Sequence, residues 1–195
     1  MATRKTASDP ADTAAVESDI YPLDRRWHLA RDHDESLVTQ LEYALLRASA
    51  AFDRWQSECL AAVMNKDFSS TDNVILHIVR MKDRPKGITE IARLMDRNDI
   101  ANLQYSIKKL TRFGLIERDG SSKRRGTAYK VTAQGREVTD RYAEVRANVL
   151  VKALPHMQDK EEQFETAEWL LNLMKGLYDQ ASLTVVSYRD TVEDD

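Results

Sequence analysis

Residues 87–132 constrain the fold of this chain more than any other stretch. Two segments with helical spacing of apolar residues, 88–95 and 99–113, are separated by the polar run Asp96-Arg97-Asn98. Gly114 follows the second segment, and glycine commonly ends helices because it adopts left-handed backbone angles readily. A strand, turn and strand with a basic tip complete the stretch. Helix, turn, helix and hairpin in this order predict a winged helix-turn-helix.

The second helical segment has one apolar face and one polar face. Ile100, Leu103, Ile107 and Leu110 recur at three and four residues, which predicts that they are buried together. The opposite face carries Ala101, Asn102, Gln104, Tyr105, Ser106, Lys108, Lys109 and Arg112. Its first half offers small residues and amides that suit base edges, and its second half offers cations that suit phosphates. An ordinary amphipathic helix with a solvated polar face is the alternative interpretation.

The charge of the chain is unevenly distributed. The formal net charge of the whole chain is −3, yet Arg80 to Arg136 contains 15 Lys and Arg against 6 Asp and Glu. A basic segment in an acidic protein favours a nucleic-acid partner that binds at that place. A solvated basic loop is the alternative interpretation, and the coincidence with the helix-turn-helix pattern argues against it.

These patterns predict contacts with double-stranded DNA. We expect Asn102, Gln104 and Tyr105 to approach base edges in the major groove. The residues expected mainly at phosphates are Lys108, Lys109, Arg112, Lys123, Arg124 and Arg125. An arginine of the hairpin tip could also enter the minor groove.

Long helical segments flank the module on both sides. The first runs from Asp34 to about Met64, the second is capped by Thr132 and ends at Leu154, and the last covers Asp159 to about Leu183. The first apolar stripe comprises Leu37, Leu41, Leu45, Ala48, Phe52, Trp55, Cys59 and Val63, widened by Ala44 and Ala51. The last comprises Phe164, Ala167, Leu171, Met174 and Tyr178, with Leu170, Leu173 and Leu177 beside them.

These stripes are wider than the small module could cover, so we expect the terminal helices to pack against a second copy of the chain. A homodimer also suits a palindromic site, because it places two recognition helices roughly 34 Å apart, one helical turn of DNA.

The predicted fold class is mainly α with a small β-hairpin wing and long terminal dimerisation helices. We expect a disordered tail at 1–19 and an N-terminal extension with the first long helix at 20–66. The DNA-binding lobe is expected at 67–133, the C-terminal dimerisation helices at 134–186 and an acidic tail at 187–195.

Composition excludes several other classes of protein. Cys59 is the only cysteine, so an intrachain disulfide is impossible, and its apolar surroundings predict a buried small side chain. No stretch has the roughly 20 apolar residues of a membrane span, and no signal peptide is evident, so we expect a cytoplasmic location and no membrane partner.

No motif predicts an enzyme, a cofactor or a metal. The sequence has no glycine-rich phosphate loop and no nucleophile elbow. His28 and His33, with Asp32 and Asp34, could form an acidic metal cluster, but their spacing is not that of a standard site. A solvated helix start is the favoured interpretation of these four residues.

The motifs of Gly87 to Arg136 resemble those of the MarR family of bacterial transcription regulators. The resemblance lies in Ile88-Thr89-Glu90-Ile91-Ala92, in the helix Ile100 to Leu110, in Gly114-Leu115-Ile116-Glu117-Arg118, and in Val131-Thr132-Ala133-Gln134-Gly135-Arg136. In architecture it covers about residues 34 to 183.

The resemblance implies a dimeric repressor or activator whose DNA affinity changes with a small ligand, often an aromatic carboxylic acid. A pocket for such an acid would need apolar walls and one cation or imidazole. The candidates are Trp27, His28, Tyr43, Arg47, His77 and Arg80. A winged helix that binds only other proteins, without contacting DNA, is the alternative function.

Overall fold

The computed structural model describes residues 27–120, 126–154 and 157–190 of the 195-residue chain. They form a mainly helical structure with a small antiparallel sheet, which confirms the prediction of a mainly α fold with a small β wing. In order, the elements are α1 (His33–Met64), α2 (Ser70–Arg80), a 3-10 turn (Met81–Asp83), β1 (Lys86–Gly87), α3 (Ile88–Leu94), α4 (Ile100–Arg112), β2 (Ile116–Arg118), β3 (Ala128–Val131), α5 (Ala133–Val145), a π-helical segment (Arg146–Val151) and α6 (Lys160–Asp190). They fall into two compact units, one ending at Arg146 and the other beginning at Ala147.

Side-chain caps fix the starts of two helices in the first unit. Ser69 and Asp72 form a capping box on α2, in which the side chain of each accepts a hydrogen bond from the other's backbone N–H. Ser69 is thus the cap, with Asp72 as the acceptor three residues after it. Thr132 caps α5 by accepting from the Gly135 N–H at 3.0 Å, as predicted.

The wing belongs to a three-stranded sheet with the strand order β1-β3-β2. Ile116 pairs with Val131 across the predicted hairpin, and Lys86 pairs with Tyr129 on the other edge of β3. The sequence predicted only the hairpin. β1 was missed because a strand of one lysine and one glycine shows no alternation of apolar and polar residues.

Lys86 is fully buried, and its ammonium group donates only to backbone carbonyls. The acceptors are the Val79 oxygen at 3.3 Å, the Arg84 oxygen at 3.1 Å and the Met81 oxygen. These carbonyls belong to the last turn of α2 and the loop after it, where the helix leaves its acceptors without intrahelical partners. Lys86 therefore closes α2 and anchors β1, and burial lowers the pKa of its ammonium group.

The core of the first unit lies between α2, α4, the sheet and the second half of α1. Leu103, Ile107 and Leu110 are buried there, as the spacing of α4 predicted. Cys59 is also buried, at 3% exposure, and burial raises the pKa of its thiol. Because the thiolate is the reactive form, the structure supports Cys59 as a packing residue.

Only part of the predicted stripe of α1 is buried within the chain. Cys59 and Val63 are buried, whereas Leu37 and Phe52 are exposed, so covering the first half of the helix by a second copy of the chain stays a prediction. The residues of α1 that join the core lie in its second half, from Trp55 onward.

The second unit contains α6, whose apolar side chains are largely uncovered. Phe164, Leu171, Leu173 and Leu177 are all exposed, as is Trp169. The helix runs seven residues beyond the expected end at Leu183. None of the helices in the described part of the chain combines the length and apolar composition needed to cross a membrane.

Candidate nucleic-acid interface

α4 presents one continuous polar face to solvent. Asn102, Gln104, Lys108 and Arg112 are exposed, and Tyr105 is 69% exposed. These side chains lie opposite the buried apolar face, so the helix is available for insertion into a groove along most of its length. Ser106 departs from the prediction, because it is buried among the residues that α4 packs against.

An ionic cluster occupies the N-terminal end of α4. Arg97 Nε donates to Asp99 Oδ1 at 2.8 Å, and Arg97 Nη1 donates to the Thr71 hydroxyl at 3.1 Å. The hydrogen bond from Arg97 lowers the pKa of the Asp99 carboxyl group. Asn102 Nδ2 also donates to Asp99, at 3.2 Å. Asn102 would therefore have to exchange this bond for one to a base.

Two neighbouring lysines of α4 have different environments. Lys108 is exposed, whereas Lys109 is only 19% exposed and its Nζ lies 2.7 Å from the buried carboxylate of Asp72. The Lys109 ammonium also lies 4.8 Å from the centre of the Phe68 ring. Lys109 thus points into the domain and does not lie on the exposed face where it was expected.

The root of the wing carries further charged side chains. Arg118 at the end of β2 is exposed, and Lys130 of β3 pairs with Glu117 at 3.3 Å. The expected phosphate contacts Lys123, Arg124 and Arg125 lie outside the described residues. Arg118 was missed by the sequence prediction, although its position at the end of the first wing strand was a usable signal.

Arg97 is the other residue that the sequence prediction missed. It was assigned only to a polar break, but its guanidinium lies beside the first turn of α4, where it forms an ion pair with Asp99. The signal was its position in the turn between the two helices, two residues before Asp99.

Three of the candidate ligand residues lie together on and beside α1. The rings of Trp27 and Tyr43 pack edge to face, with 6.2 Å between their centroids. The Arg47 guanidinium lies 5.6 Å from the centre of the Tyr43 ring. Arg47 has no ion pair with any residue that the structure describes, so a cation stands beside the half-exposed Tyr43 ring.

His28 lines a separate surface cavity of about 370 Å³. Asp34, Glu35 and Glu42 line the same cavity, and its one arginine, Arg31, pairs with Glu35 at 2.5 Å. This surplus of carboxylates disfavours an organic acid at His28. Asp32 caps α1 here, which agrees with a helix start, and the described residues contain no cluster of metal-binding side chains.

His77 and Arg80 on α2 are engaged in contacts within the first unit. The His77 ring lies 4.6 Å from the Tyr142 ring, and burial lowers the pKa of the imidazole. Arg80 pairs with Asp140 at 2.6 Å and donates to the Arg136 carbonyl at 3.0 Å. These contacts join α2 to α5 and engage both side chains within the first unit.

Comparison with known families identifies the central module. Residues 68–135 match the family model described as a winged helix DNA-binding domain. This range begins just before α2 and ends in the first turn of α5, so it contains α4 and the whole sheet. No curated protein matches the chain.

Solved structures agree over a longer part of the chain. The transcriptional regulator BldR from Sulfolobus solfataricus is 22% identical with a TM-score of 0.60, covering 72% of this chain and 99% of BldR. The transcriptional repressor CouR bound to a 23-mer DNA duplex is 22% identical with a TM-score of 0.57, covering 71% and 94%. MarR from E. coli is 19% identical with a TM-score of 0.50, covering 69% and 96%.

At these identities the likeness concerns the fold. The chain has the winged helix fold of MarR-family regulators, as its sequence motifs predicted.

Proposed function

We propose that this protein is a sequence-specific DNA-binding transcription regulator. The observation that carries the proposal is the exposed face of α4, where amides and a tyrosine precede two exposed cations on a winged helix fold. CouR, which has this fold, is a repressor bound to a DNA duplex. Repression is accordingly the mode that we propose for this chain.

In the proposed complex α4 enters the major groove. Gln104 and Tyr105 approach base edges, and Asn102 joins them after leaving Asp99. Lys108 and Arg112 meet phosphates at the end of the helix. The basic tip, Lys123 to Arg125, reaches the backbone or the minor groove beside it.

We also propose that the protein acts as a homodimer on a palindromic site. The support is the apolar surface that the chain leaves uncovered on α6, notably Phe164, Leu171 and Leu177, together with Leu37 on α1. Large contiguous apolar surfaces on a soluble domain usually mark an interface. Light scattering at micromolar concentration should give twice the chain mass of 22.3 kDa, and a monomer would refute this part.

An aromatic carboxylic acid is the proposed effector. Its ring would pack on Trp27 and Tyr43 while its carboxylate pairs with Arg47. Binding would favour a spacing of the two recognition helices that does not fit the operator. Tenfold release needs only ~1.4 kcal/mol of difference in ligand affinity between the two states.

Calorimetry with a panel of benzoates and hydroxypyridine carboxylates tests the effector. We expect Arg47→Met to abolish binding and Arg54→Met, an exposed arginine on the same helix, to leave it intact. A ligand that binds tightly without changing DNA affinity would refute the coupling.

DNA binding itself is tested with a random pool of duplexes. We expect the protein to enrich a palindromic sequence and to bind it with an affinity that falls steeply with salt. A winged helix that binds only other proteins would enrich no duplex and show no salt-dependent binding.

A further inference from the structure

An ion pair inside the winged helix unit joins α2 to α4. The Lys109 Nζ lies 2.7 Å from Asp72 Oδ2, and the two side chains are 19% and 2% exposed. Charges removed from water are stable only when each finds its partner. The pair therefore holds the second half of α4 at one place on the start of α2.

Both ends of the pair are fixed by further contacts. Asp72 Oδ2 accepts the Ser69 N–H at 2.9 Å in the capping box, so the carboxylate cannot rotate without opening α2. On the other side, Lys109 packs over the Phe68 ring, and Phe68 packs against Phe113 with 5.1 Å between ring centroids. Phe113 is the residue that ends α4.

We propose that Lys109 is a positioning residue, which sets the angle of the recognition helix through Asp72 and does not bind phosphate. The proposal rests on the DNA-binding function proposed above. The two adjacent lysines then have different roles, because Lys108 is exposed to solvent and is available for a phosphate. A displacement of the helix by 1 Å would misplace every base contact while leaving the surface charge of the domain almost unchanged.

The matched pair Lys109→Met and Lys108→Met tests the proposal. The probes are the best duplex that the parent protein selects from a random pool and a scrambled duplex of equal length and composition. For Lys109→Met we expect the ratio of the two affinities to fall about tenfold, comparable to one mismatched base pair. For Lys108→Met we expect the same affinity ratio as for the parent protein. The slope of log affinity against log salt concentration should fall by about one unit.

Two results would overturn the proposal. A loss of salt slope in Lys109→Met equal to that in Lys108→Met would make Lys109 a phosphate contact. A lower melting temperature with an unchanged affinity ratio, measured where the variant is fully folded, would make the pair merely stabilising. Lys109→Arg should restore most of the ratio, because a guanidinium can also pair with the carboxylate.

Asp72→Asn tests the other partner, and it keeps an oxygen that can accept the Ser69 N–H. The capping box is therefore retained while the charge is lost. We expect the released Lys109 to reach solvent and strengthen binding to the scrambled duplex, which again lowers the affinity ratio. A variant with the ratio of the parent would contradict a positioning role for the pair.

One measurement requires no DNA. Residual dipolar couplings of backbone amides give the orientation of α4 relative to α2 in the parent and in Lys109→Met. We expect α4 to reorient in the variant while α2 keeps its own internal geometry. If the parent selects no duplex, the proposed function fails, whereas an unchanged helix orientation refutes the positioning role.

Discussion

The two compact units differ in how much of their apolar surface is buried by their own chain. In the first unit Leu103, Leu110 and Ile75 are fully buried by their own chain, whereas Leu171 and Leu177 of α6 remain about half exposed. Both sets recur at helical spacing and look alike in the sequence. The winged helix unit thus has a core of its own, while α6 carries an apolar face that requires another surface to cover it.

Truncating one leucine in each unit should give the largest difference in stability between the units. We expect Leu110→Ala to lower the free energy of unfolding by about 2–5 kcal/mol at any protein concentration, because it leaves a cavity in a closed core. Leu171→Ala should instead have an effect that depends on protein concentration, because the proposed covering surface is a second chain. Urea unfolding at two concentrations tests both. Equal, concentration-independent losses would contradict the difference between the units.

Charges placed on the apolar face of α6 should break the proposed dimer. We expect Leu171→Asp with Leu177→Asp to give a monomer and to reduce operator affinity by about hundredfold, the loss expected when two linked half-sites become independent. Asn172→Asp with Gln180→Glu adds the same charge at exposed polar positions and serves as the control. Sedimentation velocity and fluorescence anisotropy report the two effects. A dimer that survives the first pair would place the interface elsewhere.

Two helical glycines provide a third comparison. A Cβ at Gly135 of α5 would lie 2.0 Å from the Leu115 carbonyl oxygen, so α5 could not pack this closely on the backbone before β2. A Cβ at Gly176 of α6 would meet nothing within 4 Å. We expect Gly135→Ala to destabilise by about 1–3 kcal/mol and Gly176→Ala to stabilise α6 by up to about 1 kcal/mol. Thermal unfolding monitored by circular dichroism measures both effects. A Gly135→Ala variant as stable as the parent would contradict the close packing of α5 on the Leu115 carbonyl.

The sequence predicted most of the winged helix because its signals are local. Gly114 adopts a left-handed φ of 69° at the end of α4, and Thr132 caps α5, as their residue types indicated. The spacing of Leu103, Ile107 and Leu110 indicated the buried face correctly.

Other features could not be predicted because they depend on contacts between distant residues. The spacing of apolar residues places Lys108 and Lys109 alike on the polar face of α4. Lys109 is partly buried because it pairs with the carboxylate of Asp72, which lies 37 positions away in the sequence. Lys86 was not expected inside the protein, since its burial depends on three carbonyl groups in the last turn of α2 and the loop after it. Apolar periodicity likewise indicates which face of a helix avoids water, but not whether the same chain covers it.

The smallest effect that we predict concerns acid stability of the winged helix unit. Burial raises the pKa of Asp72, but hydrogen bonds from Lys109 and the Ser69 backbone outweigh burial, so the pKa of the carboxyl group lies below its usual value. A lowered pKa means that the charged group stabilises the fold above the pKa of the unfolded chain. This contribution is lost as pH falls through the lower pKa of the folded state.

Asp72→Asn should therefore be less stable than the parent at neutral pH, and the difference should shrink as pH falls below about 5. Glu90→Gln is the control, because the pKa of Glu90 is also lowered, by Arg84, but that pair is partly exposed to solvent. Screening by water makes such a pair contribute little, roughly 0–1 kcal/mol. Urea unfolding at several pH values measures both differences. The free energies of unfolding of the parent and Asp72→Asn could differ by the same amount from neutral to acid pH. That result would show that the charge of Asp72 does not stabilise the contact between α2 and α4.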